Sequence, residues 1–278
     1  MGSDRDGQGH PHVLAARAAV PCARAIAVAL ALLASCSANA VAGPIKLTAT
    51  FARGATLGAA TVLDAELHVA PRRAPATEVR VYYPASLGIL SSGLGLVACR
   101  RPASDFVTVL ITAPRLGGCS PNAVMADGSA RADVQLSDGQ VIREFATVAL
   151  LSGAVVNGRI GLVFFVEGVR PFGARLVYAG ELRPAPAPFG GALVAHLPAI
   201  PSLAGTATVA LTDMRLAIGS HTIVYRARTG KRYRPEGVAL PSRCPRGGFR
   251  FRGEVAFADG ARAVAETVVR CPPPAGSM

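Results

Sequence analysis

The stretch Phe249-Arg250-Phe251-Arg252-Gly253-Glu254-Val255-Ala256-Phe257 alternates large apolar with polar or small residues. It is followed by Ala258-Asp259-Gly260 and then by a second alternating arm, Ala261 to Arg270. Period-two patterning on both sides of an Asp-Gly turn is the signature of a half-buried β-hairpin. A two-residue turn would put Phe257 beside Arg262 and Phe249 beside Arg270 on the face the phenylalanines mark as buried. A three-residue loop with Gly260 in the left-handed conformation instead pairs Phe257 with Ala261, Val255 with Ala263, Phe251 with Thr267 and Phe249 with Val269. It also sets Arg252 against Glu266 on the outer face, a favourable cross-strand pair. The second register is therefore expected, and it brings Cys271 to where Cys244 can reach it.

The same short runs recur upstream. Lys46–Ala52, Thr61–Val69, Glu78–Tyr83, Phe106–Thr112, Ala132–Leu136, Val141–Leu150, Ile160–Glu167, Ala207–Thr212 and Thr222–Arg228 are each broken off by Gly, Pro, Asp or Ser. No stretch holds a helical period between capping signals. The chain reads as all-β, and evenly spaced strands with turn signals favour sandwiches.

A collinear repeat sharpens that expectation. Thr108–Leu116 matches Thr208–Leu216, and Asp133–Gly139 matches Glu254–Gly260, with Cys119 or Cys244 between the motifs. Two tandem immunoglobulin-like β-sandwiches are expected, 43–155 and 156–275, preceded by a targeting segment 1–42. Recurrence of Thr-Val strands and Asp-Gly hairpins in any β-rich chain is the competing explanation.

Residues 1–42 have the three zones of a secretory signal: Arg17 and Arg24, an apolar run Ala25–Ala34 too short to span a bilayer, and a small-residue region. Ala38-Asn39-Ala40 and Ala40-Val41-Ala42 both suit cleavage. Leu33-Ala34-Ser35-Cys36 competes as a lipobox, in which Cys36 would be acylated. The expectation is a secreted or cell-surface protein with no transmembrane span, either free or lipid-anchored. Cys99, Cys119, Cys244 and Cys271 would remain in the mature chain as an even set. Of the three connectivities open to four cysteines, Cys99–Cys119 with Cys244–Cys271 closes loops of ordinary size within each half. There is no C-x-x-C pair, and His68, His196 and His221 have no ligand spacing, so neither metal nor cofactor is expected.

Half the residues are apolar (51%) and only 17% are charged, a mix that excludes disorder. The net charge is +12, and since Lys46 and Lys231 are the only lysines, almost all of the positive charge is Arg. Abundant Arg, Ala, Gly and Pro is also what a GC-rich genome writes, so the total alone argues little. Its distribution argues more. Between Arg215-Leu216 and Cys244 the second unit carries an insertion that the first lacks, and its hairpin, 221–240, holds Arg226, Arg228, Lys231, Arg232 and Arg234. A loop at Thr229-Gly230-Lys231 would set Arg228 opposite Arg232 and Arg226 opposite Arg234, with Tyr225, Ala227 and Tyr233 on the other face. Like charges facing one another destabilise a hairpin, so an anionic cell-wall polymer or lipid headgroups are the expected partners. Nucleic acid is disfavoured because no recognised nucleic-acid module appears. The bland alternative is a solvated Arg-rich face.

No nucleophile elbow, zinc-protease helix, P-loop or dinucleotide fingerprint is present. Asp64, Glu66 and His68 share one strand face, which could serve acid–base chemistry but reads more simply as the wet face of a half-buried strand. Asp127-Gly128 and Asp138-Gly139 read as turns rather than calcium ligands. No catalytic residue is assigned. A non-enzymatic envelope-binding or structural protein is expected, and a secreted hydrolase whose site assembles only in three dimensions is the alternative.

Gly230-Lys231-Arg232, Leu240-Pro241-Ser242-Arg243-Cys244-Pro245-Arg246-Gly247-Gly248-Phe249, Asp259-Gly260 and Cys271-Pro272 together resemble the carboxy-terminal part of uncharacterised exported proteins of GC-rich bacteria. The likeness covers roughly the last 60 residues. It implies an extracytoplasmic β-rich protein and carries over no ligand, reaction or site residue.

Overall fold

Alternation of buried and exposed side chains organises nearly every strand. In Phe249–Phe257 the pattern is complete, with all three phenylalanines buried and Arg250 exposed. The computed structural model describes residues 44–71, 74–89, 93–100, 115–173, 175–197 and 208–276. The expected targeting segment 1–42, its Cys36 and the expected strand Phe106–Thr112 lie outside the described residues. In chain order the strands are β1 (Ile45–Phe51), β2 (Ala60–Thr61), β3 (Leu63–Val69), β4 (Ala76–Pro84), β5 (Val124–Gln135), β6 (Val141–Val156), β7 (Arg159–Arg170) and β8 (Arg175–Pro184). They continue as β9 (Phe189–His196), β10 (Thr208–Ile218), β11 (Tyr225–Arg226), β12 (Arg232–Tyr233), β13 (Val238–Ala239), β14 (Phe249–Phe257) and β15 (Arg262–Val269).

The fold is all-β, as expected, but it is not a pair of sandwiches. Eleven strands form one antiparallel sheet in the order β1-β3-β10-β5-β6-β7-β8-β9-β4-β14-β15. The expected boundary at 155/156 falls at the tip of the β6–β7 hairpin, where Val155 pairs with Ile160 across the Asn157-Gly158 turn. Strands from the two expected units interleave: β10 lies between β3 and β5, and β4 between β9 and β14. The repeated Thr208 motif lies in β10, whereas its expected counterpart Thr108–Pro114 is outside the described residues. The other repeat is a repeat of turn chemistry. Asp138-Gly139 and Asp259-Gly260 close equivalent three-residue loops, each with positive φ at its glycine and each Asp accepting the backbone N–H two residues on.

The sheet curls into a near-closed barrel in which its end strands, β1 and β15, lie side by side. An odd number of antiparallel strands leaves those two running in the same direction. Past the seam the chain segments following them meet in a parallel bridge, Leu57 N–H donating to the Pro273 carbonyl at 3.0 Å. Side chains from around the wall, among them Leu47, Leu63, Val79, Leu150, Leu162, Leu182, Met214 and Phe251, fill one apolar interior with a residual cavity of about 60 Å³. Such a closed interior is what hides the apolar face of a long sheet without a second layer.

Two regions depart from simple alternation. Leu151, Val163 and Phe165 point outward from β6 and β7 yet are buried, because the segment containing Cys99, Leu116, Cys119 and Ala123 covers them. Burial on both sides explains the unbroken run Leu162–Val166. Asp127-Gly128, expected as a turn, sits inside β5 opposite Leu216 and Ala217 of β10. A Cβ on Gly128 would come within 1.9 Å of the Arg215 carbonyl oxygen. Both expected disulfides are present, Cys99–Cys119 with Cα atoms 5.3 Å apart and Cys244–Cys271 at 5.8 Å. They suit an extracytoplasmic compartment. Among the described residues no helix is long and apolar enough to cross a membrane.

Candidate functional site

The strand directions put the carboxyl ends of β1, β10, β6 and β8 and the amino ends of β3, β5, β7 and β14 at one end of the barrel. The expected insertion closes that end. It leaves β10 at Gly219, whose N–H donates to the Met125 carbonyl at 2.9 Å, and returns through β13, which pairs with β2 and bridges Gly88. Val238 and Leu240 are buried in the main core. The insertion is therefore a cap, and the basic hairpin stands on it.

Tyr225 is the post. It is fully buried, its hydroxyl donates to the Val124 carbonyl at 2.5 Å and accepts from the Gly95 N–H at 2.9 Å. Burial pushes its phenol above the usual tyrosine range, with the Gly95 hydrogen bond pulling the other way. Its ring meets Tyr233 edge-on at 5.8 Å. Asn122 adds a reciprocal clamp: the Arg226 N–H donates to Asn122 Oδ1 at 2.9 Å, and Asn122 Nδ2 donates to the Arg226 carbonyl at 2.8 Å.

The hairpin register differs by one residue from the sequence reading. Its loop is Arg228-Thr229-Gly230, with Ala227 N–H donating to the Lys231 carbonyl at 2.8 Å and Gly230 at φ +82°, so Tyr225 faces Tyr233 and Arg226 faces Arg232. Glycine takes the last loop position because that position is left-handed. Arg228 is thus in the loop rather than opposite Arg232, and Arg234 lies beyond the pairing rather than opposite Arg226. The like-charge confrontation survives in the single pair Arg226–Arg232. Arg226, Arg228, Lys231, Arg232 and Arg234 are all exposed, and among the described residues none is within ion-pairing distance of a carboxylate. Arg226, Arg232, Ser120 and Asn122 border a cleft of about 520 Å³. Asn122 and Gly95 were not identified from sequence as parts of this site, and Tyr225 was placed on the hairpin's other face without its role as anchor.

The expected wet face is found as such. Asp64, Glu66 and His68 point outward from β3 beside β10, where Arg215 binds Asp64 at 3.2 Å and His68 Nδ1 lies 2.8 Å from Asp213. Asp64 also borders a groove of about 550 Å³ that runs over β10, β5, β6 and β7. That groove brings in Asp127, Glu167, Ser129 and Ser220, an assembly that sequence could not show. Its carboxylates are engaged within the fold: Asp127 accepts from Thr222, whose hydroxyl contacts Ser220 at 2.7 Å, and Glu167 is bound by Arg175 at 2.6 Å. No histidine borders it among the described residues.

Comparison with protein-family models, curated proteins and solved structures yields no match to this chain. The functional reading rests on geometry.

Proposed function

We propose that the chain is an exported, non-enzymatic envelope protein that holds an anionic partner through the hairpin on its barrel cap. The observation that carries this reading is the Arg226–Arg232 confrontation, held by Tyr225 and Asn122 and, among the described residues, lacking a nearby carboxylate. A fold that fixes two guanidinium groups on facing strands opposes their repulsion unless an anion lies between or over them. Arginine suits that role because its planar fork binds phosphate or carboxylate oxygens two at a time.

The protein should be retained on heparin or lipoteichoic acid, with retention falling as salt rises. Changing Arg226, Arg228, Arg232 and Arg234 together to Ser should abolish retention without altering the fold by circular dichroism. Retention unchanged by the quadruple substitution would overturn the proposal.

One observation supports a second reading, a hydrolase: the outer groove sets Asp64 and Asp127 on strands flanking β10. Against it, both carboxylates are already engaged within the fold, Asp64 by Arg215 and Asp127 by the Thr222 hydroxyl. Turnover of an envelope glycan that disappears in both Asp64→Asn and Asp127→Asn would establish the second reading.

A further inference from the structure

Resting on the hairpin reading, we infer that the whole capped end of the barrel is a docking surface for an anionic lipid bilayer. The charge extends past the hairpin. Arg53 follows β1, Arg100 follows the Cys99 bridge to β6, and Arg243, Arg246 and Arg270 flank β14 and β15, all exposed at this end. Among the described residues the connecting segments here contain one carboxylate, Glu236. The turns of the opposite end carry Asp138 and Asp259, and the described cations there are fewer: Lys46, Arg170 and Arg262 at strand ends and Arg175, which is paired with Glu167; Arg72 and Arg73 lie outside the described residues. The molecule is thus polarised along the barrel axis, and an anionic plane orients it cap first.

Apolar side chains set within this charge favour a bilayer over a soluble polyanion. Leu96 is 46% exposed, Val97 41%, Tyr233 40% and Val155 68%. The fold gathers them. Gly95, next to Leu96, donates to Tyr225, which touches Tyr233, and Cys99 N–H donates to the Ser152 carbonyl at 2.7 Å, tying Leu96 and Val97 to the strand whose tip carries Val155. A dissolved polyanion binds the arginines and gains nothing from exposed Leu, Val and Tyr. A bilayer takes both, guanidinium groups at its phosphates and apolar tips in its interfacial layer, where tyrosine is also at home.

The test uses the full chain carrying Cys36→Ser, so that no acyl group contributes. Co-sedimentation with phosphatidylcholine vesicles containing about one part in three phosphatidylglycerol is compared with pure phosphatidylcholine vesicles and with heparin retention. Binding is expected to the anionic vesicles only, weakening with salt. Changing Leu96, Val97 and Val155 to Ser should lower vesicle affinity about tenfold or more while leaving heparin retention and the melting temperature unchanged. Heparin retention without binding to anionic vesicles, or vesicle binding unaffected by the apolar substitutions, overturns the membrane inference and leaves the hairpin reading standing. Loss of both vesicle and heparin binding in the unsubstituted cap overturns both.

Discussion

Two arginine-rich regions of this barrel differ in one respect, the residue two positions away. On the wall formed by β4, β8 and β9, Arg80 and Arg183 each have a carboxylate at that spacing: Glu78 binds Arg80 at 2.6 Å, and Glu181 binds Arg183. Arg159 reaches Glu181 at 3.4 Å, and the His196 ring lies 3.4 Å from Glu78 and 3.6 Å from Glu181. Next to this wall, Arg252 and Glu254 pair at 2.7 Å, and Tyr82 donates to Glu254 at 3.2 Å. On the hairpin the partner two positions from Arg226 is Arg228, and from Arg232 it is Arg234. On the wall, residues i and i+2 share a strand face and pair; on the hairpin Arg228 lies in the loop and Arg234 beyond the pairing, and both add positive charge instead of a counter-ion. Arginine content says little about binding. Arginine whose strand offers no counter-ion says much more.

The sharpest way to break this contrast is to remove the post beneath the hairpin. Tyr225→Ala should cost about 3–5 kcal/mol in urea unfolding, the range for emptying a fully buried aromatic site, and should release the hairpin to proteolysis. Tyr225→Phe, which leaves the Gly95 N–H without its acceptor, should cost about 1–2 kcal/mol. A loss below that for Tyr225→Ala would mean the hairpin is not anchored as described.

The wall should respond to acid, and the hairpin should not. The Arg183 hydrogen bond holds the Glu181 carboxyl below its usual range, burial opposing it and Arg159 and His196 assisting. A lowered folded-state value means that this stabilisation is present above the unfolded-state pKa and is lost as pH falls through the folded one. Glu181→Gln should therefore lower stability at neutral pH by about 1 kcal/mol, and should flatten the fall in stability below about pH 4.5. An unaltered acid profile in this variant would remove Glu181 as the keystone of the wall.

The smallest effect on stability tests the contrast most directly. Arg232→Glu gives the hairpin the counter-ion that the wall already has. It should raise stability by a few tenths of a kcal/mol to about 1 kcal/mol while reducing polyanion retention. A variant that loses stability instead would mean that Arg226 and Arg232 do not repel one another in the free protein.

Much of this was legible where local chemistry decides. The Phe249–Val269 hairpin has the register expected from its glycine, with Arg252 opposite Glu266 and Phe251 opposite Thr267, and the cysteines pair as nearest neighbours in sequence. The basic hairpin obeys the same turn rule. The loops ending in Gly139, Gly230 and Gly260 all place glycine third, and the misplaced register came from placing Gly230 second. β8 and β9 were not among the expected strands because Pro184, Pro186, Pro188, Gly190 and Gly191 interrupt any alternation, yet Gly180–Pro184 pairs with Gly191–Ala195. Sheet order was out of reach for a different reason. β3 meets β10 and β4 meets β14 across long sequence separations, and nothing in a strand's own alternation names its neighbour. The groove uniting Asp64, Asp127 and Ser220 depends on that order and was equally invisible.

The parallel seam also constrains how the chain could be rewired. Because β1 and β15 run the same way, the sheet starts at the end opposite the cap and finishes at the capped end, one barrel height away. A circular permutant opened at the exposed Asn157-Gly158 tip would need a linker that climbs back along the seam, about eight extended residues for strands of this length. That linker would run opposite to both of the strands it joins.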